Sequence, residues 1–341
     1  MDIRTKQQKN CPLCETEGDY LYRELSERLF FNCSNYRWDI RLCHNPTCQH
    51  MWLDPVPIQA DIHKLYLNYY THGSADKPIN QLKKLYHEMI KQYFCFRFGY
   101  PSQNGKVTRL IWPLLYLFPW RLSQMKRKIM YLPYIKGGRL LEIGFGNAER
   151  LSLLSSLGWQ AVGIDFDKTA VENGLRNGLN VSLGDVSDKQ YPDDYFDAII
   201  SSHVIEHIPD PKVWLNECVR ILKPGGKLIC MTPNNRSLGH SLFKQNWRDL
   251  DPPRHLHLFS STSLCSMITA EKIHCTTSKV GADTLLDSYW LYKGYDPIVK
   301  KRQLNKYAYV LIFEALHIFE WVASTIFPRT GEELILLHVK E

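Results

Sequence analysis

A chain of 341 residues that is 44% hydrophobic and 23% charged has the composition of an ordinary globular protein, with two domains or one elaborated domain, and this excludes a largely disordered chain. Its N-terminus, MDIRTKQQKN, is polar and shows no apolar secretory stretch, so the ten cysteines are expected as reduced thiols or metal ligands of an intracellular, cytoplasmic protein. The formal charge of +7 is moderate and scattered except between Arg109 and Lys136, which favours an anionic partner only weakly.

Residues 1–60 carry five of the ten cysteines and several short β-like runs. Cys11-Pro-Leu-Cys14 and Cys43-His-Asn-Pro-Thr-Cys48 together give C-x2-C-x28-C-x4-C, close to the two-knuckle spacing that folds four thiolates around zinc. With Cys11, Cys14, Cys43 and Cys48 filling all four positions, such an ion would be structural rather than catalytic. Cys33, His44 and His50 are spare ligands should Cys48 not be used. The alternative is a group of buried thiols, the state expected of Cys95, Cys218, Cys230, Cys265 and Cys275. Residues 61–136 are aromatic and basic, with helical segments such as INQLKKLYHEMIKQYF interrupted by Gly99, Pro101, Pro113, Pro119 and Pro133. Within them, RLIWPLLYLFPWRLSQMKRK mixes apolar and aromatic residues with following cations, a composition suited to a membrane interface.

From residue 137 the pattern changes. Short apolar runs, RLLEIG, AVGID, NVSLGD, FDAIISS and KLICMTP, alternate with longer stretches of helical period such as PKVWLNECVRILK. That alternation predicts an α/β domain, a parallel sheet covered on both faces whose ligand sits beyond the carboxyl ends of the strands. The stretch LLEIGFGNAERL, Leu140 to Leu151, reads as a buried strand entering a glycine turn and then a helix. As a dinucleotide fingerprint it would put Glu149 where a third glycine packs helix on strand, a poor fit for a charged side chain.

Read as E-x-G-x-G-x-A, the residues Glu142, Gly144, Gly146 and Ala148 resemble the first motif of class I S-adenosylmethionine-dependent methyltransferases. The resemblance implies a Rossmann-like sheet in which the glycines let the backbone approach the methionine part of the cofactor. It places Asp165, at the end of AVGID, on the two ribose hydroxyls and Asp185 of LGDVSD on the adenine amino group. The run YFDAIISSHVIEHIPDPKVWLNECVRILKPGGKLICMTPN resembles the family's fourth strand, the helix after it and the LKPGG turn into the fifth, and the ordered motifs cover residues 137 to 281. Glu142, Gly144, Gly146, Asp165, Asp185 and His203 are accordingly expected to hold the cofactor.

One competing motif overlaps this run. His203-Val-Ile-Glu206-His207 fits the H-x-x-E-H signature of zinc peptidases, which needs a sustained helix to bring both histidines to one face. Pro209 and Pro211 leave no room for one. Downstream, WRDLDPPRHLHLFS, Trp247 to Ser260, resembles a segment after the fifth strand of bacterial small-molecule methyltransferases, among them sugar C-methyltransferases with an N-terminal zinc module. Those enzymes have glutamate before the histidine that matches His255, whereas this chain has Arg254, which suits an anionic acceptor better than carbon methylation. His207 and His255 are the expected bases, with Arg254 orienting the acceptor. Closing a turn or capping the core is the competing role for each histidine.

Near the C-terminus, YAYVLIFEALHIFEWVASTIF, Tyr307 to Phe327, is about long enough to span a bilayer, but Glu314, His317 and Glu320 recur along one stripe, which makes it amphipathic. It lies in a helical insertion of about residues 283–330, before a last strand in EELILLHVK. Peripheral contact with the inner face of the membrane, a homodimer seam and a substrate lid are three uses open to the apolar segments. The expected organisation is a zinc module over 1–60, a helical linker or cap over 61–136, and a methyltransferase domain over 137–341. The expected acceptor is a small molecule, foremost a sugar, glycolipid precursor or other secondary metabolite. A quinone or lipid phenol comes second and a protein or nucleic acid third, since no basic run with interleaved aromatics favours nucleic acid. A binding module that kept the cofactor fold without turnover is the non-enzymatic alternative.

Overall fold

The computed structural model describes residues 3–28, 35–66, 81–101, 108–268 and 272–341. Cys33 and the start of the INQLKKLYHEMIKQYF segment lie outside them. Seven strands are hydrogen-bonded in the order Ile273–Thr277, Glu333–Val339, Leu222–Pro233, Phe196–Ser202, Arg139–Ile143, Gln160–Asp165 and Val181–Leu183. The last four pair in parallel, with Ile143 opposite both Ile164 and Ser201. Their sequences explain the burial: Leu140, Leu141, Ala198, Ile199 and Ile200 are fully enclosed, as a sheet covered on both faces requires. The chain enters this sheet in its middle at Arg139–Ile143, runs outward to Val181–Leu183, and returns to pair Phe196–Ser202 with the other side of Arg139–Ile143. That reversal is the topological switch point, the place where an open α/β sheet takes its ligand. The sheet bears out the α/β, Rossmann-like expectation.

By its internal contacts the chain divides into two compact units, residues 70–202, 217–229 and 338–341 in one and residues 1–69, 203–216 and 230–337 in the other. The division expected at residue 60 is therefore corrected. The first strands form a four-stranded sheet, His257–Leu258, Met51–Asp54, Trp38–Cys43 and Gly18–Leu25, whose edge strand comes from some two hundred positions downstream. Its core, Trp38, Ile40, Met51, Leu53 and Leu65, is completed by Trp247, Leu250, Leu256 and Leu258. The physical reason is size, because about 60 residues bury too little apolar surface to stand alone without help. Here the help comes from the segment that carries His255.

Candidate functional site

The glycine turn follows the strand Arg139–Ile143 and leads into the helix Glu149–Ser156. Gly144 and Gly146 have φ of 69° and 55°, the left-handed region that glycine enters without strain. A side chain at Gly146 would meet nothing within 4 Å, so open space lies over this turn. Asp165 ends the neighbouring strand and accepts hydrogen bonds from the backbone N–H of Gly146 and of Asp167, both at 2.9 Å. It therefore pins the turn as well as facing the space beside it, and each carboxylate oxygen keeps a second lone pair for a hydroxyl. Burial raises its pKa, against those backbone bonds. Glu142 is 1% exposed, accepts from Arg150 at 3.1 Å through one oxygen, and has no hydrogen-bond partner for the other. Burial pushes Glu142 up to about 7 even though Arg150 opposes it. A buried carboxylate oxygen without a partner, near an open glycine turn, fits a ligand that brings a cationic amino group, as the methionine part of S-adenosylmethionine does. Asp185 follows the strand Val181–Leu183, and its N–H donates to the Asp188 carboxylate at 3.1 Å, which shapes that turn.

In the other unit, His203 has φ of 57°, and its N–H donates to the Met231 carbonyl at 2.8 Å. Its Nδ1 lies 3.2 Å from Glu206 and its Nε2 2.8 Å from Glu333. Burial opposes charge on this ring, but the two carboxylates hold its pKa at about 10, and Glu206, despite its own burial, is held at about 2. Both ring nitrogens of His203 thus lie beside carboxylates of its own unit. Glu333 was not foreseen, because it lies 130 positions away in the last strand.

His207 ends a three-residue 3-10 turn, Ile205–His207, so the segment is no sustained helix and does not carry the peptidase geometry. His207 and His255 pack edge to face with centroids 4.8 Å apart. The His207 Nδ1 lies 2.9 Å from the Arg254 carbonyl and the His255 Nδ1 2.7 Å from the Asp249 carbonyl. A carbonyl only accepts, so each Nδ1 carries the proton and each Nε2 presents a lone pair. Burial and the neighbouring His255 push His207 down to about 4. Glu206, fixed by the Thr232 hydroxyl at 2.9 Å, brings a carboxylate oxygen to within 4.8 Å of ligand atoms of both rings. An imidazole held through Nδ1 beside a carboxylate can use Nε2 to accept a proton from a hydroxyl.

Arg254 does something other than expected. It is 1% exposed, takes Asp251 in a two-pronged bond at 2.6 and 3.0 Å, and donates to Glu27, which lies 227 positions earlier. The expectation that it orients an anionic acceptor is corrected: its guanidinium is sealed inside an ion triad that ties the first strands to the His255 segment. Arg254→Ala would leave Glu27 and Asp251 buried without their counter-charge. We expect it to destabilise the fold by about 3–5 kcal/mol, checked by denaturant unfolding.

The four cysteines meet as their spacing foretells. Cys11 and Cys48 sulfurs are 3.8 Å apart, those of Cys14 and Cys43 3.4 Å, and all four lie within 4.8 Å of one another. Tetrahedral zinc with bonds of about 2.3 Å sets sulfurs roughly 3.8 Å apart. Glu15 and Gln49, each just after the second cysteine of its pair, have φ of 61° and 51°, which turns both knuckles inward. His44 pairs instead with Asp19 at 2.9 Å, and His50 with His257 at 3.1 Å, so neither joins the cluster.

Residues 118–270 match the methyltransferase domain family. The chain is 32% identical over 139 residues to a ubiquinone biosynthesis O-methyltransferase of Xanthomonas oryzae pv. oryzae, spanning 38% of this chain and 56% of that protein. A protein of the same name from Cereibacter sphaeroides is 27% identical over 188 residues, covering 50% of this chain and 74% of its own length. Among solved structures, an S-adenosylmethionine-dependent methyltransferase of Archaeoglobus fulgidus is 18% identical, covers 67% of this chain and 99% of its own, and superposes with a TM-score of 0.43. Residues 118–270 are thus similar to a methyltransferase domain, and the doubly wound sheet with its glycine turn is the fold that the E-x-G-x-G-x-A resemblance implies.

Proposed function

We propose that the chain methylates a hydroxyl of a small molecule, a sugar or other secondary metabolite or a phenol, and that Cys11, Cys14, Cys43 and Cys48 hold a structural zinc ion. The observation that carries the acceptor reading is His255, fixed through Nδ1 to the Asp249 carbonyl so that Nε2 is left to accept a proton, with His207 packed against it. Transfer from a sulfonium to an oxygen needs a base only to take the hydroxyl proton, and positioning and water exclusion supply the rest. The sealing of Arg254 removes the argument for an anionic acceptor. The phenol reading gains from the names of the two curated relatives, both oxygen methyltransferases.

Formation of S-adenosylhomocysteine with a panel of sugars, phenols and amines tests the reading. Turnover with hydroxyl acceptors is expected, and turnover confined to amines would overturn it. The cofactor half has its own check. Asp165→Ala should weaken S-adenosylmethionine binding by about 1.5–3 kcal/mol for each charge-assisted bond lost, read by calorimetric titration. Equal affinities would remove Asp165 from the site.

A further inference from the structure

The helix Lys306–Ile326 is built inside out for a protein surrounded by water. Its fully buried residues are all polar, namely His317, Glu320 and Ser324. Its outward residues are large and apolar: Tyr307 is 79% exposed, Leu311 72%, Phe319 51% and Ile326 63%. Leu311, Ala315, Ile318, Val322 and Ile326 follow one another at steps of three or four, so they form a continuous stripe along about 22 Å of helix. A scattered exposed leucine needs no explanation, but a continuous apolar stripe of this length does.

What borders the stripe identifies what covers it. The two preceding helices, Ala282–Tyr292 and Pro297–Gln303, belong to the same unit, and the first of them packs against both the second and the long helix. They and the turn between them expose Tyr289, Tyr292 and Tyr295 together with Ile298 and Val299. Lys293 lies over the rings of Tyr289 and Tyr292 at 5.9 and 5.6 Å, and Lys300 lies over Tyr295 at 4.0 Å. Residues 289–306 contain five cations, Lys293, Lys300, Lys301, Arg302 and Lys306, against the single carboxylate of Asp296. Lys301 is spent on Asp283 and Asp287. The other four form no ion pair among the described residues. Exposed tyrosines capped by cations, in helices packed beside one that exposes aliphatic side chains, are the composition of a lipid interface.

We infer that the helix Lys306–Ile326 lies flat in the surface of an anionic lipid bilayer, with its outward stripe among the acyl chains and Lys293, Lys300, Arg302 and Lys306 on the headgroups. A second copy of the chain is the competing occupant, but four unpaired cations on each copy would face one another across a two-fold seam. A spanning helix is opposed by Glu320 and His317 at its middle, which the fold already buries. The inference stands apart from the acceptor reading, since it concerns where the protein sits rather than what it methylates.

Co-sedimentation of the full chain with vesicles tests it, using phosphatidylcholine alone and phosphatidylcholine mixed with phosphatidylglycerol. Binding is expected to the mixed vesicles and to fall with added salt. Replacing Lys300 and Arg302 by Gln should lower the partition by about five-fold per cation, and Leu311→Asp with Ile318→Asp by about ten-fold or more. All four positions lie outside the buried core, and an unchanged denaturant-unfolding midpoint shows that each variant is folded. Failure to bind anionic vesicles, or binding indifferent to the aspartates, overturns the inference. So does a wild-type dimer that the aspartates split into monomers, or protein that alkaline carbonate cannot strip from membranes.

Discussion

If Cys11, Cys14, Cys43 and Cys48 hold zinc as proposed, removing it is expected to unfold the unit of residues 1–69, 203–216 and 230–337 as a whole rather than a small N-terminal module. Structural zinc in small domains contributes on the order of 10–16 kcal/mol at neutral pH, comparable to the entire stability of a domain. The second knuckle is the reason the loss spreads. The Ser260 hydroxyl donates to the Cys48 carbonyl at 2.6 Å, and Asn235 donates to the Gln49 carbonyl at 2.8 Å. Trp52 packs directly on Cys11, Cys43 and Cys48. Loss of the ion would leave four thiols at van der Waals distance with nothing to hold the knuckles together, and the segment completing the first core, Trp247 to Leu258, would lose its footing. Elemental analysis of protein purified without chelator should give one zinc per chain, and chelation should collapse tryptophan fluorescence and turnover together. Zinc near zero in a folded, active preparation would reject the site.

The parts of this organisation that were legible in sequence are those written in local spacing. The C-x2-C and C-x4-C pairs, the glycine turn and the alternation of strands with helices each fit within a few dozen residues, and each appears where it was expected. The stripe of His317 and Glu320 also showed that Tyr307 to Phe327 is amphipathic. What no local pattern could show is which side faces inward. A sequence with apolar and polar stripes is ordinarily read with the apolar face in the core, and here the polar face is the buried one.

The partners of Arg254, His203 and His207 were illegible for a different reason. Glu27, Glu333 and the carbonyl of Arg254 come to these side chains through chain folding across 227, 130 and 47 positions. Arg254 beside His255 therefore read as a substrate-binding pair, although adjacent residues in a turn point different ways. The arginine closes an ion triad and the histidine hydrogen-bonds to the Asp249 carbonyl. The same distance concealed the boundary between units, because the edge strand His257–Leu258 is too short to announce itself.

Replacing His255 by alanine is expected to lower turnover by about 10²–10⁴-fold, with affinity for S-adenosylmethionine nearly unchanged. His255 is the stronger choice of the two histidines. His207, pushed down to about 4, accepts a proton poorly at neutrality, and it packs edge to face against His255. Alanine alone would confuse a chemical role with a structural one, since it also abandons the bond to the Asp249 carbonyl. Asparagine separates them. Its side-chain amide can donate where Nδ1 does, so His255→Asn keeps the loop anchored while removing the Nε2 lone pair. If the ring is the base, both variants lose turnover alike, and the activity that remains rises with pH as the acceptor loses its proton unaided. If the ring only secures the loop, asparagine restores turnover to within a few-fold of wild type while alanine does not, and the base must be sought elsewhere.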